Sequence, residues 1–206
     1  MTHLLMLLLA GSSVASAADI SVGLSTGAVY TADTGLRALG GTSADLVNQG
    51  QLRVAVGVSN TLSVVGEVGA NSVHSRWLDA TSTPVARLAL DEQELGLGVR
   101  LDAKRGGAPR VVPYAMATAL LVHGSLRLDD DGTTTHNVNQ LRWSGFAPGG
   151  EGVLGCELRF NPERGKLHAA WSFEGGGRLR GAIAYGDAGK IGGSGGVARS
   201  SLSVSF

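Results

Sequence analysis

The sequence predicts an all-β fold, an eight-stranded antiparallel up-and-down transmembrane β-barrel. Apolar residues recur at every second position in eight separate runs. The links between those runs alternate between short and long. An apolar leader precedes them all, as in an exported chain. Hydrocarbon offers no partner to a free backbone N–H or C=O, so a sheet facing lipid must close on itself.

The leader comes first. Residues 4–10 read LLMLLLA and run into GSSVASAAD. An apolar core followed by a small-x-small end describes a secretory signal peptide. Residues 1–18 are therefore expected to be removed after Ala17 or Ala18, leaving 19–206 as the barrel, although the n-region lacks Lys and Arg. No later stretch reaches the roughly 18 uninterrupted apolar residues of a membrane helix.

The first run, ISVGLSTGAVY, puts Ile20, Val22, Leu24, Ala28 and Tyr30 on one side. In QLRVAVGVS, Leu52, Val54, Val56 and Val58 oppose Arg53, Ala55 and Gly57. TLSVVGEVGA sets Leu62, Val64 and Val68 against Glu67. ELGLGVRLDAK sets Leu95, Leu97, Val99 and Leu101 against Gly96, Gly98, Arg100 and Asp102. In the fifth run, Val112, Tyr114, Met116, Leu120, Val122, Leu126 and Leu128 share one parity. The rule that lipid takes the richer apolar side turns these outward and His123, Ser125 and Arg127 inward. GVLGCELRF turns Leu154, Cys156, Leu158 and Phe160 outward, and KLHAAWSFE does so with Leu167, Ala169, Trp171 and Phe173. The last run, RSSLSVSF, opposes Leu202, Val204 and Phe206 to Arg199, Ser201, Ser203 and Ser205. Helix competes poorly, because each internal Gly would cost about 1 kcal/mol relative to Ala.

Short links fall around Asn60, at RGGAP (105–109) and at NPERG (161–165), all rich in turn formers. Longer links are read over about 31–50, 71–94, 129–150 and 175–198. Short periplasmic turns and longer external loops give this rhythm. The weakly alternating RLRGAIAYG (178–186) is read as the outer part of the seventh hairpin or as loop.

With 17 basic and 17 acidic residues the chain has no net charge, which removes the electrostatic basis for nucleic-acid binding. An apolar share of 43 % argues against disorder. The single cysteine, Cys156, rules out an internal disulfide and reads as a small apolar strand residue. Arg53, Glu67, Arg100, Asp102, Glu157, Arg159, Glu174 and Arg199 all fall on inward positions, four basic and four acidic. Buried charges need partners, so an interior salt-bridge network is expected rather than a wide pore.

Together the leader, the alternating runs and the terminal SLSVSF make the chain resemble the small outer-membrane barrels of the OmpA/OmpX type. LGLGVRLDA and GEGVLGCELRFNPERGKLHAAWSFE resemble strand and hairpin segments of such proteins. The resemblance implies residence in the outer membrane of a Gram-negative bacterium, among outer-membrane lipid and lipopolysaccharide. It also implies that Leu202, Val204 and Phe206 act as the C-terminal signal read by the outer-membrane assembly machinery. The chain ends with the last run, so no periplasmic wall-binding domain is expected. The aromatic girdles are thin, drawn from Tyr30, Trp77, Tyr114, Trp143, Phe146, Trp171 and Tyr185, with Phe160 and Phe173 as further anchors.

No catalytic, cofactor or metal motif stands out. His123-Gly124-Ser125 resembles the His-x-Ser pair of outer-membrane lipid A deacylases, with His123 as base and Ser125 as nucleophile. Leu126 stands where an Asn often follows, and the inward parity opposes that use. Asp129-Asp130-Asp131-Gly132 lacks the spacing and closing Glu of a calcium loop and reads as a solvated tip. The glycine clusters 175–177 and 192–196 lack nucleotide-loop context and read as flexible external loop. His74, His136 and His168 have no metal-ligand spacing. The expected function is a structural or surface-interaction barrel, monomeric, with unidentified partners for its external loops. The alternatives are an exported lipocalin-like carrier of a small apolar ligand, a lipid-modifying enzyme, or a narrow channel.

Overall fold

The computed structural model describes residues 19–31, 46–78, 84–103, 110–130, 141–160 and 167–206. The leader 1–18, the links RGGAP and NPERG, Asp131, Gly132 and His136 lie outside the described residues.

Eight strands close a barrel: β1 (Ile20–Thr31), β2 (Leu46–Gly57), β3 (Leu62–Leu78), β4 (Pro84–Asp102), β5 (Val111–Asp130), β6 (Leu141–Phe160), β7 (His168–Arg180) and β10 (Gly195–Ser205). A small hairpin, β8 (Ile183–Ala184) and β9 (Lys190–Ile191), lies between β7 and β10 in sequence and forms its own two-stranded sheet. Each barrel strand pairs antiparallel with its chain neighbours, and β1 pairs with β10 to close the ring. Closure extends to the last residue. The Ile20 N–H donates to the Phe206 carbonyl (3.1 Å), and the Phe206 N–H donates to that of Ile20 (3.0 Å). With no free edge, the ladder satisfies its own backbone groups.

The turn between β2 and β3 shows why Ser59 stands there. The Val58 and Ser59 N–H groups donate to the Leu62 carbonyl (2.8 and 3.1 Å). The Ser59 hydroxyl accepts from the N–H groups of Thr61 and Leu62 (3.3 and 3.1 Å). Short polar side chains stabilise such turns by bonding nearby backbone.

The strands run further than their sequence patterns suggested. The link read over 71–94 is mostly ladder, with β3 reaching Leu78 and β4 beginning at Pro84. That read over 129–150 gives Asp129 and Asp130 to β5 and 141–150 to β6, so those two aspartates belong to no loop tip. Gly175, Gly176 and Gly177 lie inside β7, and Gly195 and Gly196 begin β10. Gly177 is paired with glycine on both sides, Gly152 on β6 and Gly196 on β10, whereas Gly175 and Gly176 oppose Ala198 and Val197 on β10. At Gly176 a Cβ would collide with the backbone of Gly152, so close approach of β6 and β7 requires glycine there.

Alternation was right on seven strands and inverted on β5. Val112, Tyr114, Met116, Leu120, Val122 and Leu126 point into the barrel and are buried. The outward face is Val111, Pro113, Ala115, Ala117, Ala119 and Leu121, continuing to His123, Ser125 and Arg127. The rule that lipid takes the richer apolar side fails here because this lumen contains apolar clusters of its own. Tyr114 and Met116 pack with Ala55, Val65 and Val153. Tyr114, Trp143 and Tyr185 therefore leave the expected girdles for the interior.

Candidate functional site

The chemistry of this molecule lies in its lumen and in the change of pattern along its strands. β4 carries both. Its inward side chains read Leu88, Leu90, Glu92, Glu94, Gly96, Gly98, Arg100 and Asp102. Its outward ones read Arg87, Ala89, Asp91, Gln93, Leu95, Leu97, Val99 and Leu101. Toward the chain-termini end, leucine and valine stand outside (46–66 % exposed) and charge stands inside. Toward the other end, charge stands outside and leucine inside. The first pattern suits lipid around the barrel. The second is that of a water-soluble barrel with an apolar core.

The outward apolar band is one bilayer tall. On β5 it runs from Val111 to Leu121. At about 3.4 Å per residue and a tilt of about 40°, that run rises about 26 Å, against about 25 Å for a lipid-facing band. Leu24, Leu154 and Leu202, 65–71 % exposed, stand in the same band on other strands.

Inside the band, side chains cross-link the lumen. Arg53 on β2 forks onto Glu174 on β7, with Nη1–Oε2 at 2.9 Å and Nη2–Oε1 at 2.8 Å. Its Nε donates to Glu67 at 2.7 Å. Since β1 and β10 lie between β2 and β7 in the sheet, this bond reaches across the interior. Arg199 donates to Glu174 (3.0 Å), to Gln49 (2.7 Å) and to Glu151. Arg178 joins Glu151 (2.9 Å) to Glu94, and Gln49 and Asn71 each donate to Glu94 at 2.7 Å. The Tyr114 hydroxyl donates to Glu174 at 2.9 Å.

A second cluster lies nearer the chain termini. Arg100 bonds Asp102 (2.7 Å) and Glu157 (2.6 Å), and Arg159 bonds Glu157 (2.6 Å). The Arg100 guanidinium also lies over the Tyr114 ring, 3.9 Å from its centroid. Each ion thus has several charge-assisted partners, which the low dielectric of a lumen demands.

All eight charges singled out from the sequence are in these two clusters. Sequence reading missed Glu92, Arg178 and Arg180, which stand in stretches read as links, Glu94, at the junction of a link and a run, and Glu151, one residue ahead of the run that begins at Gly152. Their signal was present: Glu92 and Glu94 continue the parity of Arg100 and Asp102.

At the far end the lumen is apolar and stoppered. Val47, Leu88, Leu90, Leu120, Val122, Leu126 and Ala147 form a cup that receives Ile183, Tyr185 and Ile191 of the β8–β9 strap. Those three strap residues are at most 1 % exposed. Gly186 (φ 56°) and Gly189 (φ 97°) turn the strap at its tip, in a backbone region that favours glycine. Arg180 at the strap's root bonds Glu92, and its backbone N–H donates to the Ser194 hydroxyl (3.0 Å). A cavity of about 20 Å³ remains between Arg178, Arg180, Glu92 and Gly193, room for a single water. Burial beside Glu92 pushes the Tyr185 phenol above its ordinary pKa.

His123 and Ser125 face outward, against the inward parity read from sequence, and the His123 ring packs tilted against Phe146, with centroids 4.6 Å apart and planes at 42°. Cys156 is a half-buried free thiol on β6. Among the described residues no group of three His, Cys, Asp or Glu could hold a metal. Leu202, Val204 and Phe206 stand on the outward face at 65, 41 and 61 % exposure.

No family model matches the sequence, and no curated protein matches it. Solved structures do. Neisserial surface protein A aligns at 10 % identity over 93 % of this chain and 98 % of its own, with a TM-score of 0.53. Ail, the attachment invasion locus protein of Yersinia pestis, aligns at 15 % identity over 92 % and 97 %, with a TM-score of 0.46. The N-terminal β-barrel domain of Pseudomonas aeruginosa OprF aligns at 13 % identity over 91 % and 97 %, with a TM-score of 0.42. At these identities the likeness speaks for fold alone, and the Neisserial protein carries it. The chain is a closed eight-stranded barrel similar in fold to Neisserial surface protein A.

Proposed function

We propose that this chain is an outer-membrane protein with a structural and surface-presenting role, whose barrel is a filled body rather than a conduit. The carrying observation is the reversal of pattern along β4, which wraps apolar side chains around an ionic lumen in one half and polar ones around an apolar core in the other. An exported carrier of apolar ligands would instead keep its charges toward water and its lumen free. Here the lumen is occupied by Arg–Glu bonds and by the chain's own strap. In this reading residues 1–18 direct export through the periplasm and are removed. The assembly machinery reads Leu202, Val204 and Phe206, and outer-leaflet lipid and lipopolysaccharide surround the apolar band.

Fractionation of the native cells, followed by electrophoresis with and without boiling, tests the proposal. The protein is expected in the outer-membrane fraction, changing mobility only after boiling. Planar-bilayer recordings are expected to show no steady large conductance. Recovery as a soluble periplasmic protein would overturn the membrane reading, and a stable open channel would overturn the filled body.

A further inference from the structure

We infer that the small cavity beneath the strap is a binding site for one water molecule, which joins Arg180 of β7 to Asn71 of β3 and latches the strap in place. This goes beyond the filled-body reading, since it says how the stopper is held. Two atoms lead to it. The Nε of Arg180 and the Oδ1 of Asn71 are buried and have no hydrogen-bond partner among the described residues. Arg180 is 7 % exposed and Asn71 5 %. A buried polar atom left unpaired loses its hydration without compensation, so a native fold supplies it with a partner. Both residues line the cavity of about 20 Å³. A water needs about 10–15 Å³ and about two to four polar partners. Glu92 and Thr31 also line the space.

The chemistry selects water over an ion. The two atoms make opposite demands, because a guanidinium Nε–H donates and an amide Oδ1 accepts. A water accepts from the first and donates to the second. A metal cation could accept nothing from the guanidinium and would meet the charges of Arg178 and Arg180, which both line the cavity. A halide could donate nothing to the amide oxygen and would meet the Glu92 carboxylate.

Position makes this water a latch. β3 and β7 stand four places apart in either direction around the ring, so the bridge spans the lumen. Arg180 is also the root of the strap. Its guanidinium bonds Glu92 and reaches the Ile191 carbonyl at 3.5 Å. Gly192 and Gly193, on the limb that returns the strap to β10, form part of the cavity wall. A Cβ at Gly193 would overlap the Arg180 guanidinium, so this limb lies directly against it. The water thus ties the root of the strap to the opposite wall, under a cover that the strap itself provides.

The test uses the full mature protein, folded as the barrel. Its crystals, at a resolution that shows ordered water, should carry one peak within hydrogen-bond reach of both Arg180 Nε and Asn71 Oδ1. Crystals soaked in rubidium or bromide should show no anomalous signal there. In solution, oxygen-17 relaxation dispersion counts long-lived internal waters, and Asn71→Leu should have one fewer than the wild type. Hydrogen exchange at the Tyr185 and Ile191 amides reads the latch. It should quicken about fivefold in Asn71→Leu, the loss of one ordinary hydrogen bond. Asn71→Ser is the control. Both variants give up the Asn71 bond to Glu94, but serine leaves room and a hydroxyl for water, so its internal water and its slow exchange should persist. Mobility before and after boiling shows that each variant still forms the barrel, and the wild-type crystals decide the site if a variant does not. A cavity without a peak, or one holding rubidium or bromide, would overturn the water site. Equal exchange in Asn71→Leu and Asn71→Ser would overturn the latch.

Discussion

Gly124 and Gly145 face each other directly across β5 and β6, on the inner wall of the outer lumen, and the space their missing side chains leave is filled by the strap. A Cβ at Gly124 would overlap the Tyr185 phenol oxygen, and one at Gly145 would stand 2.8 Å from Ile183 Cγ2. The two glycines are a socket cut to the shape of the two side chains. The strap is therefore part of the barrel's packed interior.

Gly124→Ala should unseat the strap while leaving the barrel closed. Overpacking of this kind costs about 1–3 kcal/mol. The strap tip at Gly186 rests on Trp143, so acrylamide quenching of tryptophan fluorescence should rise. Protease should also cut within 186–190. Adding Tyr185→Ala should restore protection against both. Unchanged quenching and cleavage in Gly124→Ala would refute the socket.

The strap should also loosen in alkali. The Tyr185 phenol has its pKa raised in the folded protein, by burial first and by Glu92 next. A group with a raised folded pKa stabilises below its unfolded value, about 10 for tyrosine, and loses that contribution as pH rises beyond it. Trp143 accessibility should therefore increase above about pH 10, and Tyr185→Phe should remove that dependence.

Glu174 is the carboxylate that Arg53, Arg199 and Tyr114 share. Glu174→Ala should strip two buried guanidiniums at once and destabilise the barrel by about 3–5 kcal/mol. Urea unfolding in lipid vesicles measures it. Replacing Arg53 and Glu174 together by Met and Leu should recover much of the loss, because the uncompensated charge on Arg53 goes too. A double variant as unstable as Glu174→Ala would count against the pairing.

Leu202 stands outward on β10, 65 % exposed, opposite Leu24 and Trp171. Leu202→Arg should cost about 2–4 kcal/mol if that face meets the bilayer midplane. It should slow folding into vesicles more than into a short-chain detergent. Equal effects in both would argue that the face does not meet lipid.

How much was legible can be seen by comparing two strands. On β10 the alternation of Leu202, Val204 and Phe206 with serines gave the face and the period without ambiguity. On β5 the same rule gave the period and the wrong face. Period is a local property of the chain, fixed by the pleat that sends successive side chains to opposite sides. Face is not local, because it depends on what occupies the lumen. Around β5 that space holds Ile183 and Tyr185, about sixty residues later in the chain.

The sequence by itself determined the strand period, the closed sheet of eight, the outward character of most apolar positions and the inward placement of eight charges. Only the tertiary structure decided which guanidinium meets which carboxylate, where the strands leave the apolar band, and that the chain stoppers its own barrel. Alternation is written residue by residue, whereas partners such as Arg53 and Glu174, 121 positions apart, meet only when the ring has closed and fixed the height of each strand against the next.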